Sequence, residues 1–105
     1  MDEFAPIQYS GFWDVPRIFL VKYLNHLLLF DCCFDEEIDD YPSDYTVYFM
    51  PEFCEDNLQK AYDYFINNSP AIIGTIPVKE VRFDSTLRKF VNTNNFIEYL
   101  NFEEI

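Results

Sequence analysis

The sequence predicts an α+β domain: a mainly antiparallel sheet of three to five strands with two or three helices packed on one face, in the order β-β-β-α-β-α. Three observations predict it. Two apolar runs rich in β-branched and aromatic residues, 17–23 and 27–34, are separated only by "LNH". A third run, 45–51, alternates in the period of a strand, and residues 55–70 repeat apolar positions in the period of a helix. Strands joined by short turns pair antiparallel and leave one face for helices. A small SH3-like barrel with helices is the alternative.

In chain order, an optional first strand falls in residues 6–13. "RIFLVKY" (17–23) is apolar on both parities, and Pro16 can stand only before or at the start of a strand. That describes a strand covered on both faces. "LLLFDCCF" (27–34) follows, so the pair reads as a hairpin turning at Asn25 and His26. Asn tolerates the left-handed conformation such a turn needs. A helix across 17–34 is the rival, because Leu is a good helix former; the β-rich first arm and the turn favour strands. The polar stretch 35–44 ends in "YPSD", which is turn chemistry. In "YTVYFMP" (45–51), Tyr45, Val47 and Phe49 share one face, Thr46, Tyr48 and Met50 the other, and Pro51 ends the strand.

The helix over 55–70 places Leu58, Ala61, Tyr62 and Phe65 on one stripe. Asp56 with Gln59 three residues on matches a capping box, in which each side chain bonds the other residue's backbone N–H. Asn67, Asn68 and Pro70 stop it. "VKEVRF" (78–83) reads as a further strand. Asp84 or Ser85 is placed to cap a short helix over 86–91, and Asn95 with Glu98 offers a second capping box for a helix over 96–101.

The chain of 105 residues fits one domain, 1–105, able to bury a core without metals or disulfides. Half its residues are apolar and 20% aromatic, too many for disorder despite the charge. Two glycines leave no material for repeats or a Gly-rich phosphate loop. "MDEFAPIQYS" has acids where a signal peptide has a basic start, and the apolar run 18–30 is broken by Lys22, Asn25 and His26 and is too short to span a bilayer. The protein is expected to be soluble and cytoplasmic. Three cysteines, two of them adjacent at 32 and 33, leave an odd thiol in any pairing and read as buried free thiols.

Net charge is −12, and it is concentrated. Residues 1–57 hold 13 acids against Arg17 and Lys22, whereas residues 58–105 hold 6 acids against 5 bases. Such a field repels nucleic acid and anionic lipid and accelerates encounters with basic partners. Direct nucleic-acid binding and membrane binding are not expected.

The focus of that charge is "DCCFDEEIDDYPSD" (31–44). As a calcium loop starting at Asp35 it fails, because an EF-hand needs Gly at the sixth position and Glu at the twelfth, which here are Asp40 and Thr46. As a catalytic cluster it lacks burial to drive carboxylate pKa values apart. Asp31, inside a strand, and Asp14, beside Trp13, read as structural carboxylates bonded to backbone or to Arg17. His26 reads as an exposed turn histidine, and with no HxxxH or CxxC spacing there is no zinc or Cys–His signal. No serine has a nucleophile-elbow context. No catalytic residue, metal site or cofactor is assigned.

Two readings of the acidic stretch remain open: a solvated loop guarding a sheet edge, or a surface that meets a basic protein partner. The second would use Asp35, Glu36, Glu37, Asp39, Asp40 and Asp44 as steering charges, and Tyr41, Tyr45 and Tyr48 as packing anchors. Phe19, Phe30, Phe34 and Phe49 are assigned to the core. In composition alone, a small, acidic, tyrosine-rich domain resembles toxin-neutralising immunity proteins and phage-encoded inhibitors of nucleic-acid enzymes, whose targets expose basic clefts. That resemblance implies a non-enzymatic inhibitor and carries no residue correspondence. The alternatives are a structural or regulatory domain that dimerises through a sheet edge, and a small carboxylate-dependent enzyme.

Overall fold

The computed structural model describes residues 4–12, 15–54 and 57–102. These form β1 (Phe4–Ser10), β2 (Ile18–Tyr23), β3 (His26–Asp31), β4 (Asp44–Met50), α1 (Leu58–Asn68), β5 (Ile72–Pro77), β6 (Phe90–Asn92) and a single-turn α2 (Phe96–Tyr99), with 3-10 turns at Glu52–Cys54 and Val78–Glu80. The strands make one antiparallel sheet in the order β5-β4-β3-β2-β1-β6. The sheet curls into a half-barrel.

This corrects the predicted class. The described residues hold six strands rather than three to five, and one helix longer than a turn rather than two or three. The helices do not share a face, and the sheet stays open rather than closing as an SH3-like barrel. The excess of sheet has local causes. Residues 4–10 are a full strand between β2 and β6, with Ile7 opposite Val21 and Ala5 opposite Val91. The predicted helix over 86–91 is instead a tight loop entering β6. Asp84 Oδ1 accepts from Thr86 N at 2.9 Å and from Leu87 N, as a cap would, but Arg88 then turns left-handed at φ 58°. The chain folds back until Phe83 bridges Val91. The predicted strand over 78–83 is the 3-10 turn Val78–Glu80 followed by that one bridge.

The capping box at Asn95 and Glu98 is likewise not formed. Asn57 caps α1, accepting from Lys60 N at 3.0 Å, while Gln59 donates to Asp63 at 2.9 Å. Asp56 lies outside the described residues. Asn95 makes no cap bond and donates to the Glu80 carbonyl at 2.6 Å.

Each sheet face buries its own core. Under one face lie Phe19, Val21, Phe30, Tyr45, Val47 and Ile76, closed by Val81, Val91, Phe96 and Leu100. Phe19 and Phe30 stack with centroids 4.5 Å apart, and Phe96 sits 4.9 Å from Phe30. The other face carries Leu20, Leu29, Leu27 and Met50, covered by Ala61 of α1 and by Cys54. The buried stripe of α1 is Leu58, Ala61, Tyr64 and Phe65; Tyr62, expected on it, is 41% exposed. Helix α1 crosses the strands. Its first turn is held at β1, where Gln8 Oε1 accepts from Leu58 N at 2.9 Å, and Phe65 meets Tyr48 of β4 at 4.6 Å.

The β2–β3 turn is formed by Leu24 and Asn25, at φ 50° and 64°, one residue earlier than expected. Two positive φ values match the twist of a two-residue hairpin, and Leu is a poor residue for the first of them. Because Leu24 is more than half exposed, Leu24→Asn loses little packing and is expected to stabilise the fold by about 0.5–1 kcal/mol, read as a higher urea midpoint with unchanged slope. His26 is not in the turn. It opens β3, half-buried, stacked on Phe102 at 5.3 Å and edge-on to Phe49 at 5.6 Å.

Candidate functional site

Past the end of β3 the chain leaves the sheet as "DCCF" and forms a small hairpin. Asp35 N donates to Asp40 O at 2.9 Å and Asp40 N returns to Asp35 O at 3.4 Å. Two acids pin this turn with their own side chains: Asp35 Oδ1 accepts from Glu37 N at 2.9 Å, and Asp40 Oδ1 from Tyr41 N at 2.7 Å. Short Asx side chains compete in this way for nearby N–H groups and favour turns. Asp39 takes the left-handed conformation, φ 54°, that closes the loop. Glu36, Glu37, Asp39 and Asp40 are exposed, as is Ile38, at 58%, in their midst.

The base of the hairpin is aromatic. Phe34 and Tyr41 meet edge to face at 5.4 Å, and the Arg17 guanidinium lies 4.0 Å over the Tyr41 ring. Such a contact contributes about 0.5–1 kcal/mol at an exposed site. Arg17 Nη1 also reaches Cys32 Sγ at 4.0 Å, so the side chain ties the start of β2 to both ends of the excursion.

The structure divides the nine residues nominated for partner binding. Asp35, Glu36, Glu37, Asp39, Asp40 and Tyr41 come together on the hairpin. Asp44 is separate: it opens β4, half-buried, beside Ser43, Pro77, Val78 and Lys79. Tyr45 is no surface anchor. It is fully buried against Phe19 and Phe30, and its hydroxyl donates to the Pro16 carbonyl at 2.7 Å. Tyr48 is half-buried beneath α1, and burial, with the Asp31 charge second, raises its phenol pKa. In their place the surface offers Phe34, 49% exposed and expected in the core, together with Ile38. One signal for Ile38 was available: it is the lone apolar residue inside "DEEIDD". Asp31 Oδ1 accepts from Cys33 N at 3.2 Å, a structural carboxylate bonded to backbone. Asp14 and Trp13 lie outside the described residues.

The cysteines are free, Cys32 and Cys54 buried and Cys33, against expectation, exposed. Burial raises the Cys32 thiol pKa, against a smaller opposing pull from Arg17, and raises that of Cys54. The Cys33 sulfur turns to the Arg17 carbonyl at 3.9 Å; desolvation first, then the hydrogen bond to and charge of Asp31, push its pKa up to about 12. Because the residue surface is exposed, solvent softens that push. A raised thiol pKa means the thiolate is scarce below the folded value and plentiful earlier in the unfolded chain. Alkylation of Cys33 by iodoacetamide at slightly alkaline pH is therefore expected to run about tenfold or more slower in the native protein than in denaturant. Equal rates would show an ordinary surface thiol.

Among the described residues, no three metal-ligating side chains converge and no helix is long and apolar enough to cross a membrane. The outer edge of β5 is occupied where Asn101 N donates to Ile73 O at 2.8 Å, and that of β6 where Asn92 N donates to Arg82 O at 2.7 Å. No protein-family model, curated protein or solved structure matches the chain. The functional reading therefore rests on the chain's own geometry.

Proposed function

We propose that this is a non-enzymatic binding protein of the inhibitor or immunity type, which blocks a basic, nucleic-acid-processing protein by presenting the 35–41 hairpin to its cationic surface. The observation that carries the reading is that the carboxylates stand on a pinned turn rather than a loose loop. The backbone that carries them is set before the partner arrives, and less ordering entropy opposes binding. Ile38, Tyr41 and Phe34 beside them supply apolar contact, which solvation alone does not require. The charge asymmetry supplies steering. Three free thiols suit a reducing compartment, so the cytoplasm is where we place it.

The experiment is capture of the partner from the native host followed by affinity measured at low and high salt. The reading expects affinity to fall by about tenfold or more between roughly 50 and 300 mM salt, because exposed charges are screened within about a Debye length. Tyr41→Ala should weaken binding and Tyr45→Phe should leave it unchanged once both variants are shown to be folded. Affinity indifferent to salt would overturn the electrostatic reading.

A further inference from the structure

The face that carries α1 is only partly covered. The helix lies over the cross-strand row Leu20–Leu29–Tyr48. Two residues further along each strand, toward the acidic hairpin, the sheet register aligns a second row: Ser10, Ile18, Asp31, Thr46 and Thr75. The period of two puts these side chains on the same face as Leu20 and Leu29. Ile18 is buried at 7%, but Ser10 and Thr75 are exposed and Asp31 and Thr46 half-buried, so α1 closes over this row only at Ile18.

The result is a trough running parallel to α1. Where its β1 to β3 end widens, a groove of about 550 Å³ is floored by Ile18 and walled by Leu58, Tyr62 and Cys33. Tyr62 and, one helical turn on, Ile66 stand on the outer surface of α1, 41% and 57% exposed. Five strands at about 4.8 Å make the trough about 19 Å long, the span of about six residues of extended chain.

Charge decides what would fit. The floor holds Asp31 at its centre; Asp44 lies on the same face two residues from Thr46, where Lys79 beside it offsets its charge. The hairpin rises from the end of β3 just past Cys33. The row itself contains no lysine or arginine. A second copy of this chain, also at −12, would be repelled.

We infer that this trough seats an extended basic segment of the partner, with a lysine or arginine at Asp31 and an apolar side chain against Leu58 and Tyr62. The inference rests on the basic-partner reading above and adds a second, partly apolar contact to it. The hairpin attracts the segment and the trough selects its sequence.

Two blocked octapeptides separate these roles, both with four lysines, one with two leucines and the other with serines in their place. Binding is read by fluorescence anisotropy on the full chain. The leucine peptide is expected to bind about tenfold more tightly, since burying one leucine supplies at least that much. Tyr62→Ala and Asp31→Asn should each reduce this preference severalfold. Both are conservative for folding: Tyr62 is on the surface, and Asn keeps the acceptor for Cys33 N. Glu36→Gln with Glu37→Gln and Asp39→Asn should weaken both peptides alike and leave the preference intact.

Equal binding of the two peptides, or a preference untouched by Tyr62→Ala and Asp31→Asn, overturns the trough, and the hairpin reading then survives only if the triple variant still weakens binding. A preference that persists while the triple variant changes nothing supports the trough and sinks the hairpin. A dimer in sedimentation that Tyr62→Ala dissolves would show the trough occupied by a second copy and overturn the assignment.

Discussion

Replacing Gly74 with alanine is expected to lower the free energy of unfolding by about 3 kcal/mol, a drop in melting temperature of about 15 °C for a chain of this length. Gly74 lies in β5 at φ 156°, bridged to Leu100. A Cβ there would stand 2.5 Å from the Tyr99 carbonyl oxygen and 3.2 Å from Leu100 Cδ2. The first neighbour is backbone and cannot rotate away. Either β5 shifts, disturbing its pairing with β4, or the 99–101 segment lifts off the sheet and uncovers Leu100, which closes the core around Phe30 and Tyr45. The second route has a signature: the Asn101 amide, bonded to Ile73 O at 2.8 Å, would lose its protection from hydrogen exchange. A Gly74→Ala protein within about 0.5 kcal/mol of wild type would show that residues 99–101 do not pack on β5 as described.

Tyr45 carries the second large effect. Truncation to alanine empties a fully buried aromatic site touching Phe19 and Phe30, with an expected cost of about 4 kcal/mol. Tyr45→Phe keeps the ring and removes only the hydroxyl. The Pro16 carbonyl, also fully buried, then loses its 2.7 Å partner, an expected cost of about 1–2 kcal/mol. Urea denaturation of the two variants measures both. A surface anchor would behave in the opposite way, with near-normal stability for both variants and impaired partner binding for Tyr45→Phe.

Tyr45 also shows where sequence reasoning stops. It adjoins the acids, yet it is already the second residue of β4, which Asp44 opens. Alternation points the other way: Tyr45 shares its face with Val47 and Phe49, the core face, and the neighbouring charges outweighed that period. The hairpin β2–β3 was legible because both arms are apolar on both parities and "LNH", with the turn-forming Asn25, divides them. Helix α1 was legible from its period, but not its rotation: Tyr62 and Tyr64 are equally apolar candidates, and the sheet took Tyr64.

The C-terminal third was not legible. Asp84 and Asn95 carry capping chemistry, but an Asx side chain that accepts two N–H groups starts a turn as readily as a helix. What decided the outcome was pairing with β1, a contact more than 80 residues away in sequence. The site followed the same pattern. The carboxylates were visible as composition, whereas the turn that pins them and the Arg17–Tyr41–Phe34 stack at its base depend on where β2 places Arg17.

The central claim is that the exposed carboxylates carried on the pinned turn steer a basic partner, and the association rate tests it most directly. The comparison is wild type against Glu36→Gln, Glu37→Gln, Asp39→Asn, which removes three exposed charges and keeps Asp35 and Asp40 as turn pins. The account predicts association slowed by about tenfold at low salt, the gap closing at about 0.3 M salt, and dissociation little changed. Equal association rates for the two proteins at low salt would contradict it.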